Sequence, residues 1–302
     1  YVSHADAVIG GVGNYSNDVR RLSALKAAGF NAVRFVGCPT EATLDALDDT
    51  GMYAYIDLFP CLCEGKAPLD GHIFFDGGEV AARQSVIALR NHPSVVMYGV
   101  ADDVPECYGR HDGHELIARL VDVIKETDDT RPVTVSVREQ VPTARELEDA
   151  GIRRQHFDSD AAKINAGREK DLFDTLTAGA FDKTDVCGLN YLYPIYSTQN
   201  VKYGRLIVGS RTSSERAFES YDETEKNMRV IGDFCDCAID YPGGGKLNQI
   251  ATAFGDLDAI CDPTPRSEYK RILLGERGVS CITVVDPDTE EAAPAWNWPR
   301  YL

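Results

Sequence analysis

The stretch "VAARQSVIALRNHPSVVMYGVADD", residues 80–103, decides the fold class. Residues 80–91 read as a helix. His92-Pro93 ends it, because the residue before a proline is pushed out of the α region. Residues 94–101 then form a continuous apolar run, as expected of a strand covered on both faces. Helix, break and buried strand are half of a parallel βαβ unit, and the same alternation extends in both directions.

Upstream, residues 18–28 carry Val19, Leu22, Leu25 and Ala28 at helical spacing, and Gly29 stops them. Strands are predicted over 30–36 and 52–59, with a helix over 40–50 between them. Downstream, residues 116–125 read as a helix and 131–137 as a strand. After a polar stretch come strands at 185–192, 205–210 and 229–240. Counting residues 1–8 as the first, there are eight strands separated by helices in 302 residues. A (β/α)8 TIM barrel of class α/β requires that number. The competing open doubly wound sheet needs a Gly-rich phosphate turn, and Gly10-Gly11-Val12-Gly13 lacks the spacing. The barrel is assigned to residues 1–285. Residues 286–302, rich in Pro and acid with Trp296 and Trp298, read as a tail or the start of a further domain.

Composition narrows function. The net charge is -17 with no basic run, so a phosphate backbone is repelled and nucleic acid is excluded as a partner. No segment reaches the length of a membrane span. Nine cysteines, an odd number, are scattered rather than framed. They predict free thiols in a reducing, cytoplasmic compartment. Cys61/Cys63 and Cys235/Cys237 are one residue apart, too close for usual zinc spacing, so neither a metal nor another cofactor is expected.

"ALKAAGFNAVR" (24–34), "LRNHPSVVMYGVADD" (89–103), "TRPVTVSV" (130–137), "DVCGLNYL" (185–192) and "VIGDFCDCAIDYPGGG" (230–245) together resemble the catalytic barrel of glycoside hydrolase family 2, the β-galactosidase and β-glucuronidase family. "AFGDLDAICDPTPRSEYKRILLGER" (253–277) is similar to its last helical segment. The resemblance implies retaining hydrolysis by two carboxylates, an acid/base and a nucleophile, flanking the glycosidic bond. The acid/base motif after the fourth strand ends here in Asp102-Asp103. The nucleophile expected after Gly209-Ser210, at the tip of the seventh strand, is Arg211. Cys38 stands where the family has a His, and Asp236 where it has a Trp. Scaffold motifs match while strand ends depart. With a first residue that is not Met and no β-sandwich domains ahead of the barrel, this pattern favours a remodelled barrel over a natural non-catalytic relative.

The candidate catalytic residues are therefore Asp103, Asp57, Asp236 and Arg211. Asp103 is one methylene shorter than the Glu it replaces. Arg211 carries a fixed charge and cannot attack an anomeric carbon. It either pairs with Asp103, filling the old site, or clamps a ligand anion. Asp57, Asp102, Asp103 and Asp236 converge on the barrel mouth, near Phe35 and Tyr98. A desolvated Asp there is a candidate general base, against the plainer reading that all are paired or hydrated. Asn190 and Tyr191 match the family's "GLNY", where polar groups meet substrate. Arg34 matches a family position and is either a sugar contact or a buried partner for strand-end carboxylates. His4 is either an oriented base or structural, and Cys38 and Ser210 are remote candidates for a nucleophile. The expected ligand is a sugar or other small molecule in the barrel mouth. Three functions fit: a weakened glycosidase, a barrel catalysing another reaction such as proton abstraction, and a non-catalytic ligand-binding barrel.

Overall fold

The computed structural model describes residues 14–60, 62, 72–109, 112–138, 167–241, 255–275, 283–285 and 292–294. The strand expected at 1–8, His4 within it, and the Trp296/Trp298 segment lie outside these residues.

Helix α1 (Tyr15–Ala27) opens on Asn14, whose side chain accepts from the Asn17 amide at 3.1 Å, three residues earlier than the apolar periodicity alone places the start. Strand β1 (Ala32–Val36) follows, then α2 (Glu41–Thr50), capped by Thr40, and β2 (Tyr53–Phe59). Helix α3 (His72–Leu89) leads into β3 (Val95–Asp102). Helix α4 (Gly113–Thr127) and β4 (Val133–Arg138) follow. The polar stretch before the next strand contains α5 (Gly167–Phe181), ahead of β5 (Val186–Asn190). Next come α6 (Tyr196–Tyr203), β6 (Leu206–Ser213), α7 (Ala217–Lys226), β7 (Val230–Asp236) and α8 (Pro265–Leu273). A short antiparallel ribbon, β8 (Thr283–Val285) with β9 (Ala292–Pro294), spans the expected domain boundary.

Strands β1 to β7 form one parallel sheet in sequence order. The sheet curls into a nearly closed barrel, so the fold is a TIM barrel. Its curvature is visible in one side chain. Arg34, on β1, bonds to groups on β2, β3, β4, β5 and β6.

Strand alternation sorts the residues into two cores. Val33, Phe35, Ile56 and Tyr98 join the large cluster beneath the helices, with Leu22, Leu25 and Leu44. Helix α4 contributes Leu116, Ile117, Leu120, Val121 and Ile124 to the same cluster, a stripe at helical spacing. Each such side chain stabilises by about 1.5–3 kcal/mol when fully buried. Inside the barrel a second cluster holds Tyr55, Met97, Val186 and Val208, with Phe234 against it. The Tyr55 and Phe234 rings meet edge to face at 5.6 Å. Above this apolar floor the interior is polar, unlike the branched aliphatic layers usual in such barrels.

Candidate functional site

The site grows from β2, where Tyr55 and Asp57 are two residues apart and so share the inward face. The Tyr55 hydroxyl donates to Asp57 Oδ1 at 2.7 Å and lies 2.9 Å from Ser136 Oγ. There is room for this because the facing inward positions are glycines. Asp57 pairs in register with Gly99, and Ser136 with Gly188. A Cβ on Gly99 would stand 2.0 Å from Asp57 Oδ1, and one on Gly188 2.5 Å from Ser136 Oγ.

Into this space β1 inserts Arg34, 0% exposed. Its Nε donates to Asp57 Oδ2 at 2.8 Å, and its Nη2 to Asp102 Oδ1 at 2.9 Å and Ser136 Oγ at 3.1 Å. Its Nη1 donates to the Ser210 carbonyl at 2.6 Å and more weakly to Asn190 Oδ1 at 3.4 Å. The guanidinium also lies 4.8 Å from the Tyr55 ring centroid. Asn190 completes the layer, donating to Asp102 Oδ1 at 2.8 Å and accepting from Ser210 Oγ at 2.9 Å. Thus Ser210 is a buried network donor and not an exposed nucleophile.

The upper layer is centred on Arg211. Its Nη2 is 3.3 Å from Asp102 Oδ2, and its Nε is 3.9 Å from Asp236 Oδ2. Tyr191 donates its hydroxyl to that same Asp236 oxygen at 2.6 Å. Asp103, just past β3, has φ 53°, and Tyr191, just past β5, has φ 59°. Both are left-handed, the kind of local strain found where a fold fixes side chains at a site. The Asp236–Cys237 peptide is cis.

The pairing expected between Arg211 and Asp103 is corrected by this geometry. Arg211 is held by Asp102 and Asp236. Asp103 instead receives Arg138 Nε at 2.6 Å and the Tyr108 hydroxyl at 3.1 Å. Arg138, two residues beyond Ser136, shares its face of β4, a period that marks it in the sequence once Ser136 is known to point inward.

Two other expectations are also corrected. Phe35 and Tyr98 face the helices, not the barrel mouth, because each is out of phase with the inward residue beside it. The Tyr98 hydroxyl donates to Asp128 Oδ2, at the C-terminal cap of α4, at 2.8 Å. Cys38 is exposed just beyond the end of β1. The residues brought together are Arg34, Asp57, Asp102, Asn190, Tyr191, Arg211 and Asp236, with Asp103 at the rim. Tyr55, Ser136 and Arg138 belong to the same cluster and were missed by sequence reasoning.

The carboxylates titrate in opposite directions. Burial pushes Asp57 up to about 6, against the lowering effect of Arg34. Asp102 is also desolvated, but Arg34 and Arg211 together outweigh burial and draw it down to about 2. Arg211 is itself opposed by burial, yet Asp102 and Asp236 raise its pKa above the ordinary arginine value. Among the described residues no group of His, Cys, Asp and Glu is arranged to hold a metal ion. Cys107, Cys187 and Cys237 are free thiols and buried there. No helix among the described residues is long and apolar enough to cross a membrane.

The class of protein is set by this barrel and by its similarities. Residues 78–169 match the family model "Glycosyl hydrolases family 2, TIM barrel domain". A glycosyl hydrolase family 2 member from Bacteroides cellulosilyticus superposes with a TM-score of 0.77 at 25% identity, over 95% of this chain and 34% of that one. A family 2 β-galacturonidase from Eisenbergiella tayi, bound to galacturonate, superposes at 0.69 with 15% identity, over 92% of this chain and 50% of that one. Bacteroides uniformis β-glucuronidase 2, covalently bound to cyclophellitol-6-carboxylate aziridine, gives 0.61 with 17% identity, over 94% of this chain and 35% of that one. No curated protein matches the chain. The barrel is thus similar to the family 2 catalytic barrel, as its motifs indicated. The chain spans about a third of the length of the Bacteroides cellulosilyticus protein.

Proposed function

We propose that this barrel binds a sugar at its mouth without hydrolysing it. The observation that carries the reading is the fixed cation at the end of β6. Retaining hydrolysis needs one carboxylate to attack and a second, protonated one to release the leaving oxygen, about 5 Å away. The attacking position is Arg211, which is permanently charged and donates only. Among the described residues, the carboxyl groups Asp102, Asp103 and Asp57 do not stand ready as the acid. Asp102, drawn down to about 2, holds no proton near neutrality. Asp103 is engaged by Arg138 and Tyr108. Asp57, the one raised to about 6, is 0% exposed and enclosed by Arg34 and Tyr55. The same burial and pairing count against proton abstraction by a pocket Asp.

Binding is supported by what the mouth leaves reachable. Arg211 and Asp236 retain 23% and 28% side-chain exposure, and Arg138 retains 54%. With Tyr191 they offer charged donors and acceptors of the kind that satisfy sugar hydroxyls. The galacturonate and glucuronide named for the similar proteins make acidic sugars the first ligands to test. The test pairs turnover of aryl β-glycosides with intact mass after incubation with cyclophellitol-6-carboxylate aziridine, alongside calorimetric titration with galacturonate and glucuronate. Binding without turnover or adduct is expected. A covalent adduct, or turnover abolished by Asp103→Ala, overturns the reading.

A further inference from the structure

Arg34 ties the buried part of the polar interior to the mouth by two routes. The first is electrostatic. Arg34 Nε donates to Asp57 Oδ2 at 2.8 Å, and its Nη2 donates to Asp102 Oδ1 at 2.9 Å. The other oxygen of Asp102 faces Arg211 Nη2 at 3.3 Å, and Arg211 Nε stands 3.9 Å from Asp236 Oδ2. Asp57, Arg34, Asp102, Arg211 and Asp236 thus alternate in sign. The chain runs from a buried end, Asp57 and Arg34, to a partly exposed one, Arg211 and Asp236. The second route is mechanical. Arg34 Nη1 donates at 2.6 Å to the carbonyl of Ser210, the residue before Arg211. Asn190 links the two routes, donating to Asp102 Oδ1 and accepting from Ser210 Oγ.

Asp57 is the buried end of this chain and titrates near neutrality, at about 6, while Asp102, at about 2, and both guanidiniums keep their charge. Among the described residues, the charged and titratable groups facing Asp57 are Arg34 from β1, Tyr55 on its own strand and Asp102 from β3. Beside them β3 presents Gly99, and β4 presents Ser136, which bonds to Tyr55 and does not titrate. Burial keeps the Tyr55 hydroxyl protonated. When Asp57 is ionised, it shares Arg34 with Asp102. When Asp57 is neutral, Asp102 has more of Arg34 and draws less on Arg211, which then has more to offer an anion at the mouth. The interior also carries one negative charge fewer. Both effects have the same sign, and the low dielectric of a buried layer strengthens them.

We propose that Asp57 and Arg34 are positioning residues for the mouth, through which the charge on Asp57 sets how strongly Arg211 holds the carboxylate of an acidic sugar. This rests on the sugar-binding reading above. Galacturonate, ionised throughout, and galactose, which has no carboxylate, are titrated calorimetrically from pH 5 to pH 7.5. Galacturonate should weaken about fivefold as pH rises over that range, the lower end of typical couplings between sites, and galactose should not change. Asp57→Asn, uncharged at every pH, should be level at the tighter value. A second measurement needs no ligand. In protein labelled with 15N-arginine, the Arg211 Nε resonance, assigned by its loss in Arg211→Lys, should move with pH around the Asp57 midpoint and stay fixed in Asp57→Asn. The proposal is overturned if galactose shares the pH dependence, if the dependence survives in Asp57→Asn, or if the Arg211 resonance ignores pH. An Arg211 resonance that follows Asp57 in a chain that binds neither sugar supports the coupling and overturns the sugar-binding reading instead.

Discussion

Replacing Arg34 with Met tests whether the polar layer is a single electrostatic unit. Met keeps an unbranched apolar stem but removes every donor. Among the described residues Asp57 then retains only the Tyr55 hydroxyl, Asp102 retains Asn190 and Arg211, and the Ser210 carbonyl loses its 2.6 Å partner. Stranding one member of a buried ion pair costs about 3–5 kcal/mol. At roughly 2–4 °C per kcal/mol for domains of 150–250 residues, melting should fall on the order of 10 °C at pH 7. The penalty has a built-in relief. Asp57 already sits up to about 6, and losing its counterion favours the protonated form further. Each pH unit below the new pKa spares about 1.4 kcal/mol of forced ionisation. The gap between variant and unaltered chain should therefore narrow from pH 8 to pH 5. Thermal denaturation followed by circular dichroism at several pH values measures both. Arg34→Met/Asp57→Met, which removes both charges, should recover much of the loss, since apolar replacement of a whole buried pair is often neutral. A variant within about 1 kcal/mol of the parent, or a gap indifferent to pH, refutes the reasoning.

Asp57 is raised above the ordinary carboxylate value of about 4, so the folded protein holds its proton through a range where the unfolded chain has lost it. Stability from this group is therefore present at low pH and lost as pH rises from about 4 to 6, and Asp57→Asn should gain on the parent across that window in denaturant titrations. Gly99→Ala drives a Cβ to 2.0 Å from Asp57 Oδ1 and 2.8 Å from the Tyr55 ring, both locked by hydrogen bonds, and should cost about 3 kcal/mol of unfolding free energy. Arg211→Glu sets a third carboxylate beside Asp102 and Asp236. It should lower melting more at pH 7 than at pH 4, and an unchanged melting temperature at pH 7 would show that Arg211 does not compensate them.

The strands were legible because each is a run of apolar residues bounded by glycine, proline or polar punctuation. Residues 94–101 and 131–137 correspond closely to β3 and β4. Several helices were not. Helix α5 holds Gly179 near its end, a poor helix former, because His114 occupies the space a side chain would need. A Cβ on Gly179 would stand 2.3 Å from His114 Nδ1, and His114 Nε2 donates to the Leu176 carbonyl at 3.0 Å. Helix α7 is strongly charged, and its few buried residues, Ala217 and Ser220, give little apolar periodicity. In both, tertiary packing overrides a weak local signal.

By itself the sequence determined the class of fold, the strand ends that form the mouth and the arginine at the tip of β6. These follow from local periodicity and residue identity, which are properties of neighbouring positions. The phase of each strand was decided only by tertiary structure. Phase sends Phe35 and Tyr98 to the helices and Tyr55, Ser136 and Arg34 to the interior. Tertiary structure also decided the pairing, giving Arg211 to Asp102 and Asp236, and Asp103 to Arg138. Charges on six strands meet only when the sheet closes on itself. Which carboxylate faces which guanidinium is then fixed by register and curvature, which no single segment of the chain encodes.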